Sequence, residues 1–213
     1  MKTHILFDFD GTLVDSAPAI LNCFERVLQV HALGACCGID ASLIGPPLRQ
    51  TLETLSGQSD PAVLDALGVS FMDIYDTEAC LHTPAYAACQ DVLEQLRAQG
   101  FTLAIATNKR LLPTRRIIAA LGWKALFAEV FASDSQPQRY TDKSGMIAAL
   151  LHDFEIAPES ALYVGDTEAD GQAAAANDVV FWPVAWGYGR FSEQEQPLQT
   201  MQELLERLSF RSI

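Results

Sequence analysis

Positive charge, paired cysteines and long apolar runs are all scarce in this 213-residue chain. Its 14 basic residues face 27 acidic ones, and the net charge of −13 argues against nucleic-acid binding, because a phosphate backbone would be repelled. The five cysteines include no Cys-x-x-Cys pair, which is typical of reduced thiols in a cytoplasmic protein. No run approaches the roughly 20 apolar residues of a membrane span, and Asp8 comes too early for a signal peptide, so no membrane partner is expected.

Apolar residues make up 49% of the chain, enough for a folded core, and their distribution predicts five short buried strands. These strands are expected at residues 5–7, 101–106, 130–132, 161–164 and 179–184. Helical patterns separate the last four, and one of them, residues 111–121, ends before Gly122, a good left-handed cap residue. The alternation predicts an α/β protein with a doubly wound, Rossmann-like parallel sheet whose carboxyl edge carries the function.

One long segment, from Asp15 to Thr83, breaks this alternation because it contains three helical patterns and no convincing strand. A connection of about 70 residues is far too long for an ordinary loop. We therefore expect residues 1–14 and 84–213 to form the catalytic core, and residues 15–83 to form an all-helical domain inserted after the first strand.

Two pairs of aspartates follow predicted strands. Asp8 and Asp10 follow the first strand two residues apart, so their side chains leave the backbone on the same side. An ordinary turn would account equally well for that pair taken alone. Asp166 and Asp170 follow the fourth strand. Carboxylates grouped in this way suit metal binding and acid–base chemistry.

Groups that suit an anion are predicted at the same edge of the sheet. Thr107 and Asn108 end the second strand and offer a hydroxyl and backbone N–H groups. Lys143 opens an amphipathic helix, so its ammonium and the helix N-terminus would attract an anion together. Each feature is commonplace alone, but their arrival at one edge favours a functional site.

These segments resemble, in order, the four motifs of the haloacid dehalogenase superfamily: residues 8–14, Thr107-Asn108, Lys143 and residues 165–170. The helical insert resembles the cap of the phosphoglycolate-phosphatase-like branch, and so do two further stretches, residues 43–49 and 186–189. The resemblance implies a Mg²⁺-dependent phosphatase that hydrolyses small phosphate monoesters through an aspartyl-phosphate intermediate.

The resemblance also implies a role for each motif residue. Asp8 would be the nucleophile, and Asp10 would be the general acid and then the general base. Mg²⁺ would be held by a carboxylate oxygen of Asp8, the backbone carbonyl of Asp10 and Asp166, with Asp170 supporting through water. The phosphoryl oxygens would be bound by Thr107, Asn108 and Lys143. A cation and Lys143 would offset the repulsion between a carboxylate and a phosphate dianion.

Two positions depart from the family pattern. Ser144, rather than proline, follows Lys143, which leaves Arg139 as a weaker candidate for the phosphate-binding charge. We prefer Lys143 because it begins the clear helix. Asn177 stands where the family usually has glycine, and we expect it to adopt the left-handed cap conformation, since asparagine is the next-best residue there.

The composition of the insert narrows the range of expected reactions and substrates. It contains no lysine, which disfavours a phosphonate-cleaving relative that needs a Schiff base, and the presence of Asp10 disfavours the dehalogenase branch. The insert has nine acidic residues but only two basic ones, Arg26 and Arg49. Within residues 44–51, Arg49 is the expected contact for a substrate carboxylate, although a solvated arginine at a helix start fits equally well.

Phosphoglycolate is the leading substrate, within the wider class of small phosphorylated metabolites. The alternatives are a nucleotidase, a sugar-phosphate phosphatase of the same family, and a β-phosphoglucomutase-like mutase, which shares both aspartates of the first motif. A protein that only binds phosphate is disfavoured because every motif side chain is present.

Overall fold

Five parallel strands form a single sheet in the order β3-β2-β1-β4-β5. In a computed structural model that describes residues 2–44, 46–135, 140 and 142–210, the strands are β1 His4–Phe7, β2 Thr102–Thr107, β3 Glu129–Ala132, β4 Ala161–Gly165 and β5 Val180–Pro183. Phe7 of β1 is level with Ile105 of β2 and Val164 of β4. The strand order reverses at β1, which confirms the doubly wound sheet.

Helices cover both faces of this sheet, which is why its strands are almost continuously apolar. Leu6 and Tyr163 belong to a buried core with Met146 and Ala173, on the face covered by α6 and α7. Neighbouring strand residues alternate between the two faces. The helices of the described residues are α1 Ala17–Val30, α2 Leu48–Ser56, α3 Pro61–Thr77, α4 Cys89–Ala98, α5 Leu111–Ala120, α6 Lys143–Asp153, α7 Glu168–Ala175 and α8 Met201–Phe210.

The chain divides into two compact units. The sheet unit comprises Met1–Asp15 and Pro84–Ile213, and the helical unit comprises Ser16–Thr83. The helical unit has its own core, in which α3 packs against both α1 and α2. At its centre the ring centroids of Phe24 and Phe71 lie 4.8 Å apart. None of the described helices in either unit is long and apolar enough to cross a membrane.

Two helix ends show where local sequence does and does not decide the backbone. Gly122 adopts the expected left-handed conformation, with φ of 75°. After α7, however, the left-handed residue is Asp178, with φ of 56°, so the expectation for Asn177 is wrong. The Asn177 amide instead donates to the backbone oxygens of Ser144 and Ala173, at 3.0 and 2.9 Å. Its side chain therefore ties the end of α7 to the first turn of α6.

Candidate active site

Three buried carboxylates form an acidic cluster at the carboxyl edge of the sheet. Asp8 follows β1, Asp166 follows β4, and Asp170 lies in the first turn of α7. One carboxylate oxygen from each lies within 4.8 Å of those of the other two. Because β1 and β4 are parallel neighbours, their carboxyl ends meet, and the two sequence-distant aspartate pairs contribute to one site.

The start of α7 fixes the orientation of Asp170. The Thr167 hydroxyl accepts a hydrogen bond from the Asp170 N–H at 3.2 Å, while Asp170 Oδ2 accepts from the Thr167 backbone N–H and hydroxyl at 3.0 and 2.7 Å. This reciprocal capping leaves Oδ1 of Asp170 directed at the cluster. Gly165 permits the close approach, since a Cβ there would lie 2.8 Å from the Asp170 side chain.

Lys143 supplies a buried positive charge to the cluster. Its Nζ donates to Asp8 Oδ1 at 2.8 Å and also to Asp170 Oδ1. Burial alone would lower the pKa of Lys143, but the neighbouring Asp8, Tyr163 and Asp170 raise that pKa well above 10.5, so the ammonium stays charged. Lys143 is the first residue of α6, as predicted, and the Asp142 side chain caps that helix by accepting from the Gly145 N–H at 2.8 Å.

Burial and mutual repulsion raise the pKa values of two cluster carboxyls. Burial, reinforced by Asp170 and Asp166 and opposed by Lys143, raises the pKa of Asp8 to about 7. Burial likewise raises the pKa of Asp166 to about 6, against the Tyr188 N–H, which donates to its Oδ2 at 2.8 Å. Three carboxylates therefore share one ammonium, and the cluster carries more negative charge than Lys143 can neutralise.

Asp10 has different surroundings from Asp8, although both lie in the same turn. Its side chain is 20% exposed, and both of its carboxylate oxygens accept from Lys109 Nζ, at 3.0 and 3.1 Å. Sequence reasoning did not identify Lys109 as a site residue. The signal available was its position directly after Thr107-Asn108, in a chain with only four lysines.

The other predicted site residues lie in different parts of the molecule. Thr107 ends β2 and is almost fully buried, with its hydroxyl accepting from the Lys109 N–H at 3.2 Å, and Asn108 after it is exposed. Arg49 lies in the helical unit, where its half-exposed side chain pairs with Asp65 and donates to the Pro61 carbonyl at 3.4 Å. Arg139, the weaker candidate for the phosphate-binding charge, lies outside the described residues.

The donor set of the cluster fits a hard divalent cation. Carboxylate oxygens are the ligands that Mg²⁺ takes from proteins, and no soft sulfur or imidazole ligand accompanies them among the described residues grouped there. Burial, together with repulsion among the carboxylates, raises the pKa values of Asp8 and Asp166, and a divalent ion would offset both effects by supplying positive charge to the cluster.

The family model for haloacid dehalogenase-like hydrolases matches residues 5–184, a stretch that holds every motif residue of the sheet edge. The chain belongs to this family. Family membership confirms the resemblance carried by the four motifs.

Several curated and solved members of the family are similar over nearly the whole chain. A phosphoglycolate phosphatase of Cereibacter sphaeroides is 31% identical over 201 residues, covering 91% of this chain and 89% of that protein. The tyrosine-protein kinase PtkA of Mycobacterium tuberculosis is 31% identical over 188 residues, which is 87% of this chain. The matched stretch spans only 63% of the length of that kinase. The solved structure of a predicted phosphoglycolate phosphatase from Haemophilus somnus shares the fold, with a TM-score of 0.86 and 24% identity. The match covers 97% of this chain and 98% of that one.

Proposed function

We propose that the protein is a Mg²⁺-dependent phosphatase that hydrolyses small phosphate monoesters through a phosphorylated Asp8, with phosphoglycolate as the leading substrate. The observation that carries the proposal is the contact between Asp8 and Lys143 inside a buried cluster with Asp166 and Asp170. The family and its phosphatase members support a phosphatase. The cation and the substrate are our inference from the site.

The first step is attack of an Asp8 carboxylate oxygen on phosphorus. A new O–P bond forms as the bond to the leaving oxygen breaks, and Asp10 gives that oxygen a proton. Lys143 lies 2.8 Å from Asp8 and would meet a phosphoryl oxygen brought to that carboxylate, with Thr107 and Asn108 as further donors. These groups offset the repulsion between two anions.

The second step returns Asp8 to its free form. Asp10, now a carboxylate, accepts a proton from a water molecule as the water oxygen forms a bond to the phosphorus of the aspartyl-phosphate. The bond between phosphorus and the Asp8 oxygen breaks, which releases inorganic phosphate and the Asp8 carboxylate. Asp10 is the more exposed of the two aspartates, which suits a group that meets both the leaving alcohol and water.

Asp8, the Asp10 backbone carbonyl and Asp166 would hold Mg²⁺, with Asp170 in support. The bound ion would supply charge neutralisation and in-line positioning of the phosphoryl group. Residues 15–83 would act as a cap that discriminates between leaving groups, since the motif residues handle only the phosphoryl group. Arg49 stays a prediction as the contact for a substrate carboxylate.

Phosphoryl transfer to a second organic acceptor is the alternative, favoured by the 31% identity to a protein named as a kinase and by the aspartates shared with mutases. A phosphatase releases one inorganic phosphate for each ester consumed, without a bisphosphate activator. A transferase would place the phosphoryl group on an added acceptor instead.

The test is a phosphate-release screen of small phosphate monoesters, with Mg²⁺ or with a chelator. We expect chelator to abolish release, and Asp8→Asn to lower it at least a thousandfold, about 4 kcal/mol, while the protein stays folded by circular dichroism. Full release in chelator would refute the metal proposal. A tenth of normal activity in Asp8→Asn would refute the nucleophile.

A further inference from the structure

The WGYG segment, residues 186–189, follows β5 and is a motif for which the chemistry above has no use. Its backbone nevertheless reaches the acidic cluster. The Tyr188 N–H donates to Asp166 Oδ2 at 2.8 Å. Asp166 Oδ1 is the less engaged oxygen, since its contact with the Thr12 hydroxyl is 3.4 Å long. The WGYG segment thus holds Oδ2 of Asp166 by a short hydrogen bond, whereas Oδ1 makes the longer contact with Thr12.

Two glycines let the WGYG segment lie directly against Asp166. A Cβ on Gly187 would collide with the Asp166 side chain and would lie 2.5 Å from the Gly11 carbonyl oxygen. A Cβ on Gly189 would overlap the Asp166 carbonyl oxygen. The segment and the turn after β1 therefore enclose Asp166 from two sides, and any displacement of the segment moves the N–H that holds its carboxylate.

Two side chains anchor the WGYG segment to the residues that follow β1. The Trp186 indole N–H donates to the Thr12 carbonyl oxygen at 3.0 Å. The Tyr188 hydroxyl donates to Asp15 Oδ1 at 3.2 Å. Asp15 is the last residue of the sheet unit before the chain enters the helical unit, and its own N–H donates to the carbonyl of Pro84, where the chain returns, at 2.9 Å.

We propose that the WGYG segment sets the affinity of the acidic cluster for its cation, with Tyr188 as a positioning residue. Its backbone N–H orients Asp166, and its hydroxyl holds that N–H in place by bonding to Asp15. The point where the chain leaves the sheet unit is thereby connected to the cation site. This inference rests on the proposed function, because it takes the cation to be Mg²⁺.

Tyr188→Phe tests the anchor, since it removes the hydroxyl but keeps the ring and the backbone N–H. The Tyr188 hydroxyl also hydrogen-bonds to Tyr86, but it is the bond to Asp15 that ties the WGYG segment to the end of the sheet unit. Calorimetric titration of metal-free protein with Mg²⁺ should show about 2- to 10-fold weaker binding, the range expected when a hydrogen bond of the anchor is lost. Turnover at low Mg²⁺ should fall and should recover as Mg²⁺ is raised. A merely structural loss would not respond to the ion in this way. Tyr140→Phe is the matched control, because it removes another buried hydroxyl of the same unit, bonded to the Ala132 carbonyl at 2.6 Å.

Asp15 supplies the second half of the test. Asp15→Ala should weaken Mg²⁺ binding as Tyr188→Phe does, the double variant should be no weaker than either single one, and Asp15→Asn, which keeps an acceptor oxygen, should retain most of the affinity. Unchanged binding in Tyr188→Phe, or fully additive losses, would overturn the positioning role while leaving the proposed function intact. Failure of the unmodified protein to bind Mg²⁺ would overturn both.

Discussion

Replacing Lys143 by methionine keeps the length of a buried side chain and removes the ammonium of the acidic cluster. At 2.8 Å from Asp8 and an effective dielectric of about 20, that ammonium attracts the carboxylate by about 6 kcal/mol. The cost of burying both charges offsets part of this attraction. Removing one partner of a buried ion pair typically destabilises a protein by about 3–5 kcal/mol, because the other charge is left uncompensated. We expect Lys143→Met to lose that much at pH 8 without metal, or roughly 6–20 °C in Tm for a chain of this size.

The loss in Lys143→Met should depend on pH and on Mg²⁺. Burial, with the nearby Asp170 and Asp166, raises the pKa of Asp8 from 3.8 to about 7 in the folded protein. A carboxyl with a raised pKa stabilises the fold fully below its unfolded pKa, and that stabilisation is lost as pH rises through the folded value. Metal-free protein should therefore lose stability between pH 5 and pH 8. The penalty of Lys143→Met should be smaller at pH 5, where Asp8 is protonated, and Mg²⁺ should reduce it at pH 8.

Urea unfolding with chelator and with saturating Mg²⁺, at both pH values, measures these differences. Lys124→Met is the matched control, because it replaces the same residue type by methionine at an exposed position on the surface of the sheet unit. Surface substitutions of this kind stay within about 0.5 kcal/mol. A loss below about 1 kcal/mol in Lys143→Met, unchanged by pH and by Mg²⁺, would show that the Lys143 charge does not compensate the buried carboxylates.

Three further predictions concern the leaving group. Asp10→Asn should slow alkyl phosphates by about 10²–10⁴-fold and nitrophenyl phosphate much less, since proton donation matters most for a basic leaving group. Lys109→Met should slow the hydrolysis of alkyl phosphates by about tenfold, because the Asp10 carboxyl loses the ammonium that positions both of its oxygens. The same change should add little in the Asp10→Asn background. Equal losses for alkyl and nitrophenyl phosphates would contradict this role of Lys109. Arg49→Ala should raise KM for phosphoglycolate about tenfold and leave nitrophenyl phosphate nearly unchanged. Equal increases would mean that its pair with Asp65 serves only the helical unit.

The strands and the acidic cluster were predictable because they follow from regular rules. Strands of a covered parallel sheet are nearly all apolar, so they stand out as short runs, and each predicted strand lies within a residue or two of its observed bounds. The carboxyl ends of such strands share one edge, which is why Asp8 and Asp166, separated by most of the chain, were expected together.

Contacts that depend on where a long side chain turns were not predictable. Lys109 reaches Asp10 across 99 positions of sequence, and no local pattern indicates that direction. Asn177 lost its expected cap conformation because its amide found acceptors on α6, a tertiary contact that overrides a local preference. The sequence does indicate that Arg49 should pair with a carboxylate, since an insert with nine acidic residues offers an arginine many such partners. It does not indicate which carboxylate.

The first motif shows how structure separates two residues that the sequence presents as equals. Asp8 and Asp10 share a residue type and a turn, yet Asp8 is buried against Lys143 and Asp10 is partly exposed and held by Lys109. Asp8 lies beside the ammonium of Lys143 and in the cluster proposed to hold the cation. These surroundings suit a nucleophile, because positive charge is needed for a carboxylate to attack an anionic phosphate. A partly exposed carboxylate in the same turn suits proton exchange with an alcohol and with water. Two carboxyls in unlike surroundings can take different roles in one reaction, and the division of labour proposed here rests on that difference.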